Sequence, residues 1–148
     1  MENNGQQVFL LTADLLELED EMAADMRTRL ENVFGIPRDN IIIGVMHNHS
    51  SVRDHHRNWE FGKYDPARDA FMIDTVENAY RECLSNMQEA TASYGSEIIT
   101  GYYSNRNHPG EQSDNEVIVV RFYDTAGKPF AAIVNWAVHS TVLSAGNM

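Results

Sequence analysis

The sequence has one cysteine and few basic residues, and each shortage excludes a class of protein. A single thiol, Cys83, cannot form an internal disulfide, and because it falls in an apolar stripe with helical spacing, we predict an inert core thiol. Eleven Lys and Arg residues against 22 Asp and Glu residues give a formal net charge of −11. This charge repels phosphate backbones and anionic lipid surfaces, which argues against nucleic-acid binding.

The sequence also has no long hydrophobic run. The longest runs, such as "VFLLTA" and "IIIGVM", are far too short to span a bilayer, and "MENNGQQ" has neither the basic nor the apolar region of a secretory signal. We therefore expect no transmembrane segment and see no targeting signal. The chain of 148 residues is 43% hydrophobic and 22% charged, a globular composition that predicts a single domain over residues 1–148.

Apolar periodicity predicts the element order β-α-β-α-β-β-β, which is typical of an α/β fold. A strand near residues 8–12, an amphipathic helix from Asp20 to the stop signal "GIP", and a strand in "NIIIGVM" should form a right-handed parallel crossover. A second helix is predicted to begin at the capping residue Asp65 with Pro66 in its first turn. Gly95 is its predicted terminator.

Three further strands are predicted in the second half of the chain. They are "SEIITGYYS", "EVIVVRFYD" and "PFAAIVNWAVH", and the turn residues "TAGK" should join the last two in an antiparallel hairpin. Trp136 and the helically spaced methionines are predicted to be core residues. The overall expectation is a mixed sheet with packed helices, as part of a larger catalytic domain.

Histidines follow several of the predicted strands. In "VMHNHSS" the residues His47 and His49 are two apart, so in an extended chain both would face the same side. Arg106 and His108 follow the third strand and His139 ends the fifth, and in open α/β sheets such strand ends converge on one crevice. Imidazoles suit zinc, but an H-x-H pair also arises by chance and can simply bind backbone carbonyls. Spacing alone leaves both interpretations open.

Four separated segments favour the metal interpretation. "VFLLTADLL", "NIIIGVMHNHS", "YYSNRN" and "SDNEVIVVRFYDTAGKPFAAIVNWAVHSTVL" occur in the same order as in the neutral/alkaline (non-lysosomal) ceramidase family, which the chain resembles over most of its length. The resemblance implies that His47 and His139 bind one zinc ion, that His49 takes part in catalysis beside it, and that Arg106 lines the active site. It also implies the α/β catalytic domain of those hydrolases.

The chain departs from the family pattern in ways that leave the substrate open. Asn48 replaces the usual threonine, and "SVRDHHRNWEF" follows where the family has a glycine- and proline-rich stretch. The family completes its zinc site with a glutamate and a tyrosine well downstream of the second histidine, whereas this sequence ends nine residues after His139. We therefore expect a fragment of a longer enzyme, and self-association through the truncated sheet.

Two functions follow from these observations. The first is a zinc-dependent amide hydrolase acting on a ceramide-like lipid or another amide, with His49 as general base or water-orienting group and Arg106 as a hydrogen-bond donor to the substrate or to a carboxylate of the site. The second is a noncatalytic fragment with an incomplete metal site. Asp14 is either a hydrogen-bond acceptor for an imidazole or else a helix cap or solvated acid. The loop around His55 and His56 is either substrate-facing or else solvated or disordered. His108 is predicted to be an exposed turn residue.

Overall fold

The computed structural model describes residues 1–51 and 65–139 and confirms the α/β class, with helix and strand in similar amounts. The chain divides into two compact units, Met1–Met87 and Gln88–Met148, and each is described by itself. The single domain predicted from the composition stays a prediction.

The first unit contains both α-helices and a parallel pair of strands. In chain order its elements are β1 (Glu2–Asn3), β2 (Gln6–Gln7), β3 (Phe9–Ala13), α1 (Asp20–Phe34), a 3₁₀ turn (Arg38–Asn40), β4 (Ile41–Val45) and α2 (Pro66–Ser85). Strands β1 and β2 pair antiparallel, whereas β3 and β4 pair in parallel, from Phe9 opposite Ile41 to Ala13 opposite Val45. The predicted parallel pairing on either side of α1 is therefore confirmed.

Local signals in the sequence fix the ends of the two helices. At the end of α1, Gly35 adopts a left-handed conformation with φ 74°, and its N–H donates to the Glu31 carbonyl at 2.8 Å. At the start of α2, the Asp65 carboxylate accepts from the Ala67 N–H at 3.0 Å, and Pro66 occupies the first turn. The predicted role of Gly95 is wrong, because α2 ends at Ser85 and Gly95 lies inside a strand.

The core of the first unit lies between the parallel strands and the two helices. Its buried side chains are Phe9, Met22, Met26, Leu30, Ile36, Ile41, Val76 and Tyr80, so Met22 and Met26 are core residues as predicted. Met87, which continues the apolar stripe of α2, is exposed, so the prediction is wrong for that methionine. Tyr80 packs edge-on against Phe9, with ring centroids 4.9 Å apart, and its hydroxyl donates to the Gln7 side chain. Burial raises the pKa of the Tyr80 hydroxyl, and Cys83 and Glu2 add to the shift.

Cys83 is exposed, so the prediction of a core thiol is wrong. The buried stripe of α2 stops at Tyr80, and the last turn of the helix extends past the core cluster; Leu84 in the same turn is also exposed. Helical spacing places a residue on one face of a helix, but it does not say how far along that face the neighbouring elements reach.

The second unit contains an antiparallel meander of three strands. The strands are β5 (Thr91–Ile98), β6 (Glu116–Tyr123) and β7 (Pro129–Trp136), with β6 in the centre. The predicted hairpin of β6 and β7 is confirmed, and its turn is held by the Asp124 carboxylate, which accepts from the N–H groups of Ala126 and Lys128, both at 2.9 Å. Gly127 supplies the left-handed residue, with φ 79°.

Two predictions for the second unit are wrong. Strand β5 begins at Thr91 and ends at Ile98, earlier than the segment "SEIITGYYS", because it pairs with the full length of β6, from Thr91 opposite Tyr123 to Ile98 opposite Glu116. Trp136 is 39% exposed because β7 pairs on one side only within the described sheet. Its ring packs against Tyr103 instead of entering a core.

No helix within residues 1–51 and 65–139 combines the length and the apolar character needed to cross a bilayer. This finding agrees with the prediction from the short apolar runs.

Candidate metal centre

The histidine pair of the first unit lies in a loop at the carboxyl edge of the β3–β4 sheet. Ala13 and Val45 are the last paired residues of the two strands, so the segments that follow them, residues 14–16 and 46–51, emerge at the same edge. This is the position at which α/β proteins commonly bind ligands, because loops converge there.

Hydrogen bonds join these two segments along their length. The Met46 N–H donates to the Ala13 carbonyl at 3.0 Å and continues the strand pairing by one bond, and the Asn48 N–H then donates to the Leu15 carbonyl at 3.1 Å. In the opposite direction, the Leu16 N–H donates to the Ser51 hydroxyl oxygen at 3.1 Å. The loop that carries the histidines is therefore attached to the chain that follows β3.

His47 has a left-handed backbone conformation, with φ 53°. The strand β4 already ends at Val45, so the premise that His47 and His49 alternate along an extended strand is wrong. The two imidazoles nevertheless come together, with ring centroids 4.9 Å apart and an interplanar angle of 86°. A turn, rather than the period of a strand, brings them to the same place.

One ring nitrogen of His47 is held by the backbone. Its Nδ1 lies 2.8 Å from the Leu16 carbonyl oxygen, and because a carbonyl can only accept, Nδ1 must carry the proton. The neutral ring then has its lone pair on Nε2, which is the atom suited to bind a metal ion. A carbonyl partner of this kind is the usual support of a metal-binding histidine.

The side chain between the two histidines is also fixed. Asn48 Nδ2 donates to the Asp14 carboxylate at 2.9 Å, while its Oδ1 accepts from the Ser50 N–H at 2.8 Å. The reverse amide orientation would set an oxygen against the carboxylate and an NH₂ against an N–H, so this assignment satisfies both partners. Asp14, for which the predictions were an acceptor for an imidazole, a helix cap or a solvated acid, thus binds the residue between the imidazoles.

His47 and His49 lie close enough to bind one metal ion. Each is exposed, and their ligand nitrogens lie within 4.8 Å of each other. Two nitrogens on one tetrahedral zinc ion, each about 2.0 to 2.1 Å from it, are about 3.4 Å apart, so small ring rotations would bring this pair to the required separation. Neutral imidazole is a preferred zinc donor, so the pair fits such an ion chemically.

The second unit carries the other predicted site residues on two segments. His139 is exposed and follows the end of β7 by three residues, and Arg106 is exposed in the segment after β5. The two segments meet where the Tyr103 and Trp136 rings pack, with centroids 5.6 Å apart and the indole N–H donating to the Tyr103 hydroxyl. Each contact residue is three positions before its site residue.

The Arg106 segment has a defined turn. The Asn105 side-chain oxygen accepts from the N–H groups of Asn107 and His108, at 3.1 and 3.0 Å, which is a common way for asparagine to start a turn. His108 is exposed in this turn, as predicted. The loop around His55 and His56, for which a substrate-facing role was one interpretation, lies outside the described residues.

An apolar groove adjoins the histidine loop within the first unit. It has a volume of about 630 Å³, and its walls come from the end of β3 and from α2 and include Leu11, Leu18, Met26, Phe71, Met72 and Val76. Phe71 is 69% exposed along it. Asp14 lines the same groove, so the groove reaches the residue that holds Asn48. Pockets of this size and character are typical of small-molecule sites.

Sequence reasoning found the histidines but missed the groups that hold them, namely the Leu16 carbonyl, Ser51 and the Asn48–Asp14 pair. The signal was present in "HNHSS", because Asn and Ser after a strand commonly bond nearby backbone in turns. No protein-family model matches this chain, and neither a curated protein nor a solved structure matches it.

Proposed function

We propose that this chain is the histidine-bearing part of a zinc-dependent amide hydrolase that resembles the neutral ceramidases. The observation that carries the proposal is the His47–His49 pair at the carboxyl edge of parallel strands, with His47 Nδ1 bonded to the Leu16 carbonyl. Ring contact, a fixed tautomer and a location at the strand ends are not expected together for a chance pair of histidines. The resemblance in four ordered segments supports the same reading.

In this proposal His47 binds zinc through Nε2, and His139 is the second ligand, as the resemblance implies. When bound, zinc would supply Lewis acidity, which polarises an amide carbonyl and lowers the pKa of water from about 15.7 toward about 7. The Leu16 carbonyl keeps the His47 ring in the orientation and tautomer that the ligand role requires.

His49 has the position of a general base. It contacts the ring of His47 at 4.9 Å between centroids, so a proton acceptor on His49 lies within a few ångströms of the ligand nitrogen. Histidine is the side chain that most often accepts and donates protons as a general acid or base in enzymes. It would take a proton from the attacking water and return one to the leaving amine.

Arg106 and the groove are assigned to the substrate. Arg106 would donate hydrogen bonds to a substrate oxygen or to a carboxylate of the site, because its guanidinium offers a rigid fork of donors. The groove beside Asp14 is lined mainly by aliphatic, methionine and phenylalanine side chains, which favours an amide with a long apolar chain over a polar one. A ceramide-like N-acyl lipid has this character.

The proposal is tested by measuring zinc binding and turnover of a fluorescent ceramide-like amide side by side. His47→Ala and His139→Ala should each reduce the affinity for zinc and abolish turnover, because each removes a ligand. His49→Ala should retain most of the bound zinc but lower the rate, by about 10² to 10⁴-fold for a general base. His108→Ala, which changes an exposed turn histidine, is the matched control and should change neither quantity.

Two results would contradict the proposal. Zinc binding that survives both His47→Ala and His139→Ala would place the metal elsewhere, and hydrolysis that persists in the presence of a chelator would remove zinc from the reaction. Histidine-dependent zinc binding without turnover would instead favour the noncatalytic alternative.

A further inference from the structure

Asn48, the residue between the two histidines, forms hydrogen bonds through both its backbone and its side chain. Its backbone N–H donates to the Leu15 carbonyl, its Nδ2 donates to Asp14, and its Oδ1 accepts from the Ser50 N–H. Three hydrogen bonds on one half-buried loop residue fix its backbone and its side chain together. The residues on either side of it are the two candidate metal-site histidines.

The bond to Asp14 connects the loop to the rigid part of the unit. Asp14 directly follows Ala13, the last residue of β3 that pairs with β4, so its position is set by the sheet. The Asn48–Asp14 bond spans 34 residues of sequence. It is also a bond to a charged acceptor, and such bonds are stronger than bonds between neutral groups.

The loop needs this support because of the conformation of His47. A left-handed backbone costs a residue other than glycine about 1 to 2 kcal/mol, and such conformations persist only where the surroundings enforce them. Asn48 is the next residue along the chain and is fixed at both its N–H and its side chain. If the side-chain bond is lost, the loop can relax and the two rings can separate.

We propose that Asn48, held by Asp14, is a positioning residue that sets the orientation of the neighbouring His47 and His49 rings, and that by orienting His47, the proposed ligand, it raises the metal affinity of the site. The part of this inference that concerns metal affinity rests on the proposed function, whereas the part that concerns ring orientation does not. Neither side chain needs to touch the metal, since the effect passes through the backbone that they hold.

The first test is a double-mutant cycle with Asn48→Ala and Asp14→Ala, read out as the dissociation constant for Zn²⁺. Loss of a group that orients a ligand typically costs 10- to 100-fold in affinity, so each variant should weaken zinc binding by about tenfold or more. The double variant should be little weaker than Asn48→Ala alone, because Asn48→Ala already removes the bond to Asp14 together with the bond from the Ser50 N–H. Asp14→Asn separates the bond from the charge: its side-chain oxygen can still accept from Asn48, although as a weaker neutral acceptor, so it should weaken zinc binding less than Asp14→Ala does.

The second test reverses the bond. In the pair Asn48→Asp with Asp14→Asn, the new amide at position 14 can donate to the new carboxylate at position 48, which still accepts from the Ser50 N–H. The net charge is unchanged, so this double variant should have a zinc affinity within about threefold of the original. Neither alanine variant should reach that affinity, because neither can form the bond. Failure of the exchanged pair to restore zinc affinity would show that the bond between positions 14 and 48 is not what sets it.

A third readout separates this inference from the proposed function. In the metal-free protein, the ¹⁵N chemical shifts of His47 should show the Nδ1–H tautomer, and Asn48→Ala should convert it to a mixture of tautomers. Additive effects in the cycle, or no rescue by the exchanged pair, would overturn the positioning role. If the original chain binds no zinc through its histidines, the proposed function fails. If the His47 tautomer is unchanged in Asn48→Ala, the role of Asn48 in positioning the rings is overturned.

Discussion

Replacing His47 by glycine and by alanine should change the free energy of unfolding by different amounts, because the backbone of His47 has a φ of 53°. Both variants lose the hydrogen bond from Nδ1 to the Leu16 carbonyl, which contributes about 0.5 to 1.5 kcal/mol. Alanine keeps the penalty of about 1 to 2 kcal/mol for a left-handed residue, whereas glycine adopts this conformation without a steric penalty.

The lost hydrogen bond and the backbone penalty together predict the order of stability of the two variants. His47→Ala should lower the free energy of unfolding by about 1 kcal/mol, and His47→Gly should leave it close to that of the unchanged protein, since relief of the backbone penalty offsets the lost bond. The gap of about 1 kcal/mol between the two variants is the quantity that tests the conformation. Zinc binding should fall equally in both, because both lack the imidazole.

Urea unfolding followed by far-UV circular dichroism is the appropriate assay, since α1 and α2 both belong to the unit that contains His47. The pair His108→Ala and His108→Gly is the control, because His108 is exposed and does not have a positive φ. There, glycine should be no more stable than alanine. The reasoning is refuted if His47→Gly is as destabilised as His47→Ala.

Two further predictions concern the fold of the first unit. Leu30→Ala should lower the free energy of unfolding by about 2 to 5 kcal/mol, measured by the same urea assay, because Leu30 is fully buried and its truncation leaves a cavity. Hydrogen bonds from Arg29 and Arg81 lower the pKa of Glu77 below its ordinary value, so its stabilising effect is complete above that value and is lost as the pH falls through the lowered one. Glu77→Gln should therefore flatten the dependence of Tm on pH below about 4.3, and an unchanged slope would contradict the ion-pair assignment.

The end of α1 and the start of α2 could be predicted because their signals are local. Gly35 ends α1 since its left-handed conformation turns the following chain out of the helix, and Asp65 begins α2 since its carboxylate reaches the N–H two residues on. The β6–β7 turn is equally local, with one aspartate bonding two N–H groups within four residues. In each case the partner lies within one turn of the residue that the sequence shows.

The wrong predictions depend on distant partners. Gly95 looked like a helix terminator, yet it pairs with Val119 in a strand whose limits are set by β6. Cys83 and Trp136 were placed in the core by their apolar neighbours, but their exposure depends on how far other elements extend over them. A sequence pattern predicts the face of a helix or strand on which a side chain lies, but it does not predict how far neighbouring elements cover that face.

The candidate site combines both cases. The pairing of His47 with His49 was predicted and the rings do meet, but by a left-handed turn rather than by strand alternation. The Asn48–Asp14 bond joins residues that are 34 positions apart, and the parallel pairing of the strands that precede them is what makes it possible. Only once β3 and β4 are aligned does the carboxylate become the neighbour of the amide.

The position of the histidine loop depends on the register in which β3 pairs with β4. Each residue advances a strand by about 3.3 Å, so a slip of two positions would keep the buried faces together while carrying the histidine loop about 6.6 Å away from Asp14 and Leu16. Such a misaligned chain would still look folded by its helix content, yet it would have lost the contacts that orient the rings. If the proposed site binds zinc, zinc present during refolding would bind the correctly aligned chains more tightly and enrich them by mass action. The metal would then select the register of a strand pair that it does not contact.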